Sequence, residues 1–332
     1  MRLPALITSD LHLTANPKDE YRWRLFDFLE DQCRAEQVKT LCILGDLTDA
    51  KDYHPSSLTN RVVAQISRMR AVVERVIILC GNHDYLRAGH AYFEFLNYIP
   101  GVTFVVKPYE DLMDDGVATL WLPHTKTPAK DWEGIDTTHF DYVFMHQTVG
   151  GSVASNGQKM DGEDVPDMSA WGKVYSGDIH VPQVIKGVEY VGSPYHVHFG
   201  DAFTPRCILL DRRNRPVDVH MESISRRTLT VKSLRELKRI ELAAGDQVKV
   251  RIELDEADKH DWQRIKRLAA EYVKAEGAEL HGLELRVQKA QVYIGSSDKV
   301  GFASTDPDAV TRFAEMQELG GDALDEALEI VK

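Results

Sequence analysis

The sequence predicts an α/β protein built from two β-sheets packed as a sandwich, flanked by helices and followed by a small α+β domain. Strand and helix patterns alternate over roughly the first 200 residues, which is typical of a sheet with parallel strands. From Thr103 onward the strand patterns follow one another more closely, which favours a second sheet. Around Arg212–Arg227 the pattern changes again, and we place a domain boundary there.

The first sheet begins with three short apolar runs, at Ala5–Ser9, Thr40–Leu44 and Val76–Cys80. An amphipathic helix pattern separates each run from the next, as in a parallel sheet covered by crossover helices. The apolar helix faces consist of Tyr21, Leu25, Phe28, Leu29 and Cys33 in the first pattern, and of Leu58, Val62, Ile66, Met69 and Val73 in the second. In such folds ligands bind at the carboxyl ends of the strands.

The second sheet is predicted from strand patterns that lie closer together along the chain. They are Thr103–Val106, Ala118–Leu122, Asp141–Met145, Lys173–Tyr175, Glu189–Val191 and Arg206–Leu210. The segment Gly150–Gly162 is rich in Gly, Ser and Asn and has no periodicity, so we expect a loop that contacts substrate.

Behind the boundary the patterns predict a compact α+β module. Val248–Leu254 alternates as a half-buried strand, a helix pattern at Trp262–Val273 is stopped by Gly277, and Leu283–Val287 offers another strand. The chain therefore divides into an α/β domain at 1–212, a small α+β domain at 213–304 and an acidic helical tail at 305–332. The tail either packs on its own domain or binds a partner.

The composition is that of an ordinary soluble globular protein, with 332 residues, of which 43% are hydrophobic and 28% charged. No apolar run approaches the ~20 residues that span a bilayer. Because the first motif follows almost directly on Met1, we expect a cytoplasmic protein that does not bind membranes. The cysteines form no CxxC pair and are expected to be buried, reduced thiols; they are Cys33, Cys42, Cys80 and Cys207.

The formal net charge of −12 is unusual for a protein that binds nucleic acid through a basic surface. Residues 205–239, however, hold ten Arg or Lys against four acidic residues. This basic segment is either a contact for a phosphate backbone or a solvated linker.

Four short polar islands follow apolar runs and predict the function. They are Asp10-Leu-His12, Gly45-Asp46-Leu-Thr-Asp49, Gly81-Asn82-His83-Asp84 and Gly177-Asp178-Ile-His180, and His146 follows a fifth run. Carboxylate and imidazole donors without thiolates suit Mn²⁺, Mg²⁺ or Zn²⁺. The donors suffice for two ions about 3.5–4 Å apart, the arrangement common in phosphate-ester hydrolysis.

Three residues have individual roles in this prediction. Asp46 is the natural carboxylate to bridge two cations, which would activate a water and neutralise charge on the phosphoryl oxygens. His83 is expected to be the general acid that protonates the leaving oxygen. Asp49 is expected to hydrogen-bond His83 and to orient its imidazolium.

Other histidines have weaker predictions. His196 and His198 alternate on a predicted strand beside a Gly-Ser-Pro turn, and we assign them structural or surface roles in preference to a substrate contact. His124 stays open between a structural and a functional role.

These motifs, in this order, resemble the calcineurin-like metallophosphoesterase superfamily over about residues 1–200. Within it the chain is similar to the nuclease-subunit family of the bacterial SbcCD double-strand-break repair complex, through Tyr190-Val-Gly-Ser-Pro194, Phe199-Gly-Asp201 and the small module behind them. This resemblance implies a second domain that caps the site and positions DNA. It also implies C-terminal helices that dock on an SMC-like coiled-coil ATPase, and it favours a homodimer.

The resemblance also assigns the ligands by position. One metal takes Asp10, His12, Asp46 and His180, and the other takes Asp46, Asn82, His146 and Asp178. Mn²⁺ is the expected metal, with Mg²⁺ and Zn²⁺ as alternatives. The family has His where this chain has Asp178. This carboxylate either binds the second ion directly, which makes the site harder, or lies in the outer coordination shell of a weakened site.

The sequence therefore predicts a metal-dependent DNA nuclease, an exonuclease with endonuclease activity as a second mode, acting with the ATPase in DNA repair, recombination or replication. The first alternative is a phosphodiesterase for a small or cyclic-nucleotide phosphoester, and the second is a scaffold that binds DNA or the ATPase without cutting. A serine/threonine phosphatase is disfavoured, because Ala50-Lys51 replaces the Arg-Gly usual there and Asp84 replaces Glu.

Overall fold

The computed structural model describes residues 1–51, 53–87, 89–112, 116–163, 165–166, 168, 171–254 and 260–287. The expected tail at 305–332 and the end of the expected capping domain lie outside these residues. Within the described part of the chain, no helix has both the length and the apolar character that crossing a bilayer requires.

The described elements are mostly short strands. In chain order the strands are β1 (Ala5–Thr8), β2 (Thr40–Ile43), β3 (Arg75–Leu79), β4 (Tyr85–Arg87), β5 (His90–Ala91), β6 (Val102–Val105), β7 (Tyr109–Asp111), β8 (Thr119–Leu122), β9 (Tyr142–His146), β10 (Lys173–Gly177), β11 (Gln183–Ile185), β12 (Val188–Tyr190), β13 (Cys207–Leu210), β14 (Pro216–Val219), β15 (Arg226–Val231), β16 (Gln247–Leu254) and β17 (Glu279–Val287). The α-helices are α1 (Glu20–Trp23), α2 (Leu25–Ala35), α3 (Ser56–Val72), α4 (Pro128–Asp131), α5 (Leu234–Leu237) and α6 (Trp262–Ala275), and 3₁₀ turns lie at Pro17–Asp19 and Tyr92–Tyr98.

The first sheet has the strand order β14-β13-β1-β2-β3-β6. Strands β1, β2, β3 and β6 are parallel, and β13 and β14 complete the sheet in antiparallel pairs. Helices α1 and α2 lie between β1 and β2 in the chain, and α3 lies between β2 and β3, as the alternating patterns predict. Because these strands run the same way, their carboxyl ends meet at one edge of the sheet.

The second sheet has the strand order β11-β12-β10-β9-β8-β7. Strands β8, β9, β10 and β12 are parallel, while β7 and β11 are antiparallel edges. His146 at the end of β9 pairs directly with Gly177 at the end of β10. The carboxyl ends of these two central strands therefore also lie side by side.

The two sheets pack face to face over an apolar layer. Alternate residues of β1 point to opposite sides, since Leu6 packs in the helix-covered layer and Ile7 in the layer shared with the second sheet. In this shared layer the rings of Trp121 and Phe144 stack with centroids 4.4 Å apart. A third apolar cluster around Trp132 covers the outer face of the second sheet. The predicted two-sheet sandwich flanked by helices is confirmed. Two strands predicted for the second sheet, Thr103–Val106 and Arg206–Leu210, instead lie in the first sheet as β6 and β13, because spacing along the chain does not specify which strands pair.

Several elements differ from the sequence predictions. The edge strands β7, β11 and β14 and the hairpin β4–β5 have no apolar run of their own, because short edge strands bury few side chains. The first predicted helix is divided at Arg24, and Phe26 is fully buried while Phe28 is only partly so. The four cysteines are free and buried, as predicted.

The chain divides into two compact units. The first contains residues 1–229, 241–249 and 273–282, and the second contains 230–240, 250–254, 260–272 and 283–287 of the described residues. The strands β15, β16 and β17 form a third sheet. The predicted alternation on β16 is present, with Val248, Val250, Ile252 and Leu254 buried. The division of the chain at 212 and 304 stays a prediction.

Candidate metal centre

Five strand ends bring carboxylates and imidazoles into one cluster. Asp10 and His12 follow β1, Asp46 follows β2, Asn82 and His83 follow β3, His146 ends β9, and Asp178 and His180 follow β10. Three overlapping groups each have ligand atoms within 4.8 Å of one another: Asp10 with His12 and His180, His12 with Asp46 and His83, and Asp10 with Asp46 and His146. The islands that are far apart in the sequence therefore form one site.

The backbone at these strand ends turns through the left-handed region. The φ angles of Asp10, His12, Asp46 and Asp178 are 53°, 42°, 55° and 81°. Such conformations are uncommon for residues with a side chain and cost of the order of 1–3 kcal/mol each. The main-chain N–H of His12 donates to the carbonyl of Asp46 at 2.9 Å and helps to hold the turn after β1 against the turn after β2.

Asp84, to which sequence analysis assigned no role, fastens two of these turns together. It is fully buried, and its Oδ2 accepts hydrogen bonds from the N–H groups of Gly81 (2.8 Å) and Asp46 (2.9 Å). Its Oδ1 accepts a third hydrogen bond from the N–H of Leu47 at 3.0 Å. The carboxylate of the last residue in the Gly-Asn-His-Asp motif thus accepts from main-chain N–H groups, and it sets the position of Asp46.

Glycines allow the strand ends to approach the His146 ring closely. A Cβ added to Gly45 or Gly81 would lie 2.9 Å from His146 Cε1, and one added to Gly177 would lie 2.7 Å from His146 Nδ1. These separations are too short for any side chain. His146 itself lies 2.6 Å through Nδ1 from the carbonyl oxygen of Leu44, which links the second sheet to the first.

Asp46 lies between two sets of donors, as expected of a shared ligand. Its Oδ1 is 3.4 Å from His146 Nε2, and its Oδ2 is 3.5 Å from His12 Nε2. The N–H of His83 donates to Oδ1 at 2.9 Å and fixes the carboxylate plane.

Unpartnered atoms show that the cluster fits cations. The buried atoms Asp10 Oδ2, Asn82 Oδ1 and His146 Nε2 have no hydrogen-bond partner among the described residues. His12 Nε2 and His180 Nε2 lie 3.0 Å apart, so the two imidazoles converge on one place in the cluster. Buried polar groups without partners are costly unless a ligand satisfies them.

The electrostatics of the cluster agree with this fit. Burial raises the pKa of Asp10 to about 7, with the Asp46 carboxylate adding to the rise. Burial and the neighbouring Asp84 raise the pKa of Asp46 well above its ordinary value. Burial also lowers the pKa of His12 and of His180 to about 3, so both imidazoles are neutral near pH 7. Neutral imidazoles and carboxylates that need a counter-charge are the ligands that divalent ions bind.

Asp178 lies on the side of the cluster where the second set of donors was expected. Its Oδ1 accepts a hydrogen bond from Asn82 Nδ2 at 3.1 Å and is 3.7 Å from His146 Nε2. Its Oδ2 accepts a hydrogen bond from the hydroxyl of Thr148. Its function as a ligand stays a prediction.

Asp49 contacts His83, as expected, but it does so through its main chain. The main-chain carbonyl of Asp49, not its carboxylate, lies 2.9 Å from His83 Nδ1. The carboxylate instead lies 3.3 Å from His12 Nδ1, and this contact lowers the pKa of Asp49 to about 2. The turn after β2 brings the backbone to His83 and the side chain to His12, so Asp49 orients both rings.

Two further histidines reach the cluster. The His198 ring stacks on the His180 ring with centroids 5.2 Å apart, and the His124 ring lies 6.1 Å from the His146 ring. The structural assignment of His196 agrees with its ring nitrogen, which lies 2.9 Å from the carbonyl of Phe203. The alternation of His196 and His198 after the Gly-Ser-Pro turn was the only sequence signal for His198, and it did not show which of the two rings would reach His180.

Some arginines of the basic segment 205–239 form ion pairs within the chain. Arg206 pairs with Glu189 at 3.1 Å and with Asp218 at 2.9 Å, and Arg215 pairs with Asp211 at 2.8 Å. These arginines are fastened to carboxylates of this chain, so their charge is largely compensated.

Comparison with known proteins gives one family match. A profile described as calcineurin-like phosphoesterase matches residues 3–190, more than half of the chain. No curated protein sequence matches significantly. Among solved structures, the nuclease MPE of Pseudomonas putida is 13% identical with a TM-score of 0.34, covering 65% of this chain and 87% of its own. The phosphopantetheinyl hydrolase of Mycobacterium tuberculosis is 13% identical with a TM-score of 0.32, covering 57% and 90% respectively.

Proposed function

Because this chain belongs to the calcineurin-like phosphoesterase family, whose members hydrolyse phosphoesters with divalent metals, we propose that it is a metal-dependent DNA nuclease. The observation that supports hydrolysis is the convergence of carboxylates and imidazoles in three overlapping groups, each with its ligand atoms within 4.8 Å of one another. DNA as the substrate is supported by the motifs that resemble the nuclease subunits of the SbcCD complex. In this proposal the enzyme is an exonuclease with endonuclease activity as a second mode.

The cluster would hold two ions in the two sets expected from the motifs. Asp10, His12, Asp46 and His180 form one set, and Asp46, Asn82, His146 and Asp178 form the other. When bound, divalent ions would supply a nucleophilic water and neutralise charge on the phosphoryl oxygens. The proposed metal is Mn²⁺, as the resemblance implies, and donor sets without thiolates also suit Mg²⁺ and Zn²⁺.

His83 supplies the proton for the leaving oxygen. With Nδ1–H donating to the Asp49 carbonyl at 2.9 Å, Nε2 is the nitrogen that carries the second proton when the ring is protonated. Burial lowers the pKa of His83, which makes its protonated ring the stronger acid, while the Asp49 carbonyl partly offsets this effect. Transfer of the Nε2 proton to the leaving oxygen leaves a neutral ring in the tautomer that Asp49 already selects.

The wider assembly is proposed on the resemblance alone. The chain acts with an SMC-like ATPase in the cytoplasm, as a dimer, in DNA repair, recombination or replication. Residues 213–304 cap the site, and residues 305–332 dock on the ATPase. The mainly acidic chain is compatible with this division, because the ATPase then supplies part of the DNA-binding surface.

The activity and His83 are tested together. Purified protein with Mn²⁺ should degrade end-labelled linear DNA, and His83→Ala should slow cutting by about 10²–10⁴-fold. The variant should retain the metal content of the parent, measured by elemental analysis, because His83 is the proton donor in this proposal.

The matched control is His90→Ala, which removes an exposed histidine on β5. It should leave cutting unchanged. DNA that stays intact while a chromogenic phosphodiester is hydrolysed would favour the small-substrate enzyme. Loss of both activities, with and without the ATPase, would favour the scaffold.

A further inference from the structure

The loop that carries His198 connects the donor cluster to an aromatic and cationic surface. His198 is exposed and stacks on His180 with an angle of 20° between the ring planes. Below it, Asp201 Oδ2 accepts hydrogen bonds from the N–H groups of Val197 at 2.9 Å and His198 at 2.8 Å. Asp201 is buried, so it fixes the main chain under His198 and holds the ring at the edge of the cluster.

The next residue, Phe199, has two cations against its ring. Arg226 Cζ and Lys249 Nζ each lie 4.4 Å from the ring centroid. Arg226 is buried, donates to the carbonyl of Val197 and lies 3.7 Å from Asp19 Oδ1. Arg226 therefore belongs to the support of the loop.

Lys249 differs from Arg226 in being exposed and uncompensated. Its ammonium forms no ion pair or hydrogen bond with any residue that the structure describes. The carboxylate of Glu279 on the neighbouring β17 lies 3.4 Å from His281 and 3.5 Å from the amide of Gln247 instead. A positioned cation on an aromatic ring, without a carboxylate partner, has the character of a phosphate contact on a nucleic-acid path.

We propose that His198 and Lys249 bind the phosphate next to the one that is cleaved, while Phe199 keeps them in place. The inference rests on the proposed nuclease function and adds the feature that a polymer has and a small phosphoester lacks, a second phosphate. A DNA strand that is bound at the donor cluster and at this second phosphate is held in register with the cluster. This surface accordingly gives the enzyme its preference for a polynucleotide.

Lys249→Gln tests the proposal through the salt dependence of binding. Binding of labelled linear DNA is measured in EDTA, where nothing is cut, over a range of salt concentrations. The variant should bind roughly three- to tenfold more weakly at low salt, and the slope of log Kd against log salt should fall in magnitude by about one. A merely structural change does not remove one unit from this slope.

Lys266→Gln is the matched control. The Lys266 ammonium lies 4.9 Å from the Trp262 ring centroid, in the same kind of contact but on α6. This variant should keep the affinity and the slope of the parent. His198→Ala should weaken binding with metal content unchanged, and His198→Gln, which keeps an N–H donor, should restore part of the loss.

The outcomes separate the two proposals. A parent that binds DNA, together with a Lys249→Gln variant of equal affinity and slope, would overturn the phosphate contact and leave the nuclease function standing. Equal losses in the two lysine variants would also overturn it, because diffuse charge would then explain binding. A parent that neither binds nor cuts linear DNA would overturn both proposals.

Discussion

Asp178 stands where the resemblance implies a histidine, and its neighbours show how a carboxylate is accommodated. The Thr148 hydroxyl donates to Oδ2, and the Asn82 amide donates to Oδ1 at 3.1 Å. A carboxylate accepts on both oxygens, whereas an imidazole presents one nitrogen on each side of a rigid ring. Thr148 therefore acts as the partner that orients Asp178.

Thr148→Val should loosen Asp178 while preserving the shape of the side chain. Without the hydroxyl, one carboxylate oxygen loses its donor, and the affinity of the weaker of two bound Mn²⁺ ions should fall about 10–100-fold. Titration calorimetry on the metal-free protein measures both ions separately.

Thr59→Val is the control, because the Thr59 hydroxyl contacts Tyr92 and Pro55, outside the donor cluster. It should leave both affinities unchanged. Unchanged binding of both ions to Thr148→Val would show that Asp178 is not oriented by this hydroxyl, or is not a ligand.

At the residue scale, the sequence was sufficient to predict the donor residues, but not the groups that form hydrogen bonds with them. Aspartate and histidine at strand ends are recognisable because their positions follow apolar runs. Thr148 and the Asp49 carbonyl carry no such signal, because a threonine hydroxyl or a backbone carbonyl becomes meaningful only when its neighbour in space is known. The sequence therefore predicted that Asp49 contacts His83, but not that its carbonyl makes the contact.

At the scale of elements, the strand-end turns are held by hydrogen bonds that reach across strands. Asp84 accepts from the turns after both β2 and β3. The sequence predicted the central strands of each sheet, because both of their faces are apolar. It did not predict the exposed edge strands, whose residues are fixed by pairing with a neighbour and not by burial.

Asp84→Ala should destabilise the protein by about 3–5 kcal/mol, because a buried charged acceptor is lost and three N–H groups are left without a partner. Urea unfolding, followed by circular dichroism, measures the change in free energy. Asp84→Asn should also be destabilising, since its NH₂ group would face a main-chain donor.

Asp136→Ala serves for comparison, since the Asp136 carboxylate is exposed and its contacts, with Thr138 and His139, are also at the surface. Its free energy of unfolding should stay close to that of the parent. An Asp84→Ala variant as stable as the parent would contradict the role of Asp84 as a clamp between the turns.

At the scale of the whole molecule, the candidate metal centre joins the two sheets. Asp10, Asp46 and Asn82 come from the first sheet, and His146 and Asp178 from the second. The sequence predicted two sheets and a shared site, but periodicity does not specify which faces meet. That information is in the packing of the shared apolar layer.

Removing the metal should therefore lower the stability of the whole fold, and more so as the pH rises. In the metal-free protein burial raises the pKa of Asp10 from 3.8 to about 7, so between these values the native state holds a proton that the unfolded state has lost. Stability attributed to this group falls as the pH rises through that range. A bound cation pairs with the carboxylate and removes the loss.

The difference in melting temperature between Mn²⁺-loaded and EDTA-treated protein should increase from about pH 5 to about pH 7.5, by the same linkage. Differential scanning fluorimetry in matched buffers measures it. Over this range His12 and His180 are neutral in the native state, because their pKa values of about 3 lie below it. They therefore change the stability of the Mn²⁺-loaded and the EDTA-treated protein equally. Asp10→Asn should flatten the pH dependence in EDTA, and a difference that shrinks with rising pH would contradict the assignment.

The glycines around His146 have a consequence for anyone who wishes to redesign the metal preference. Gly45, Gly81 and Gly177 press backbone against the imidazole, so the ligands nearest to it cannot be moved apart by exchanging one side chain for a larger one. An engineer who wants a larger or softer cation has to change the chemistry of a donor, and not the width of the cavity. Position 178 suits such an exchange. Asp178 is hydrogen-bonded by the side chains of Asn82 and Thr148, and these two residues can be changed together with it.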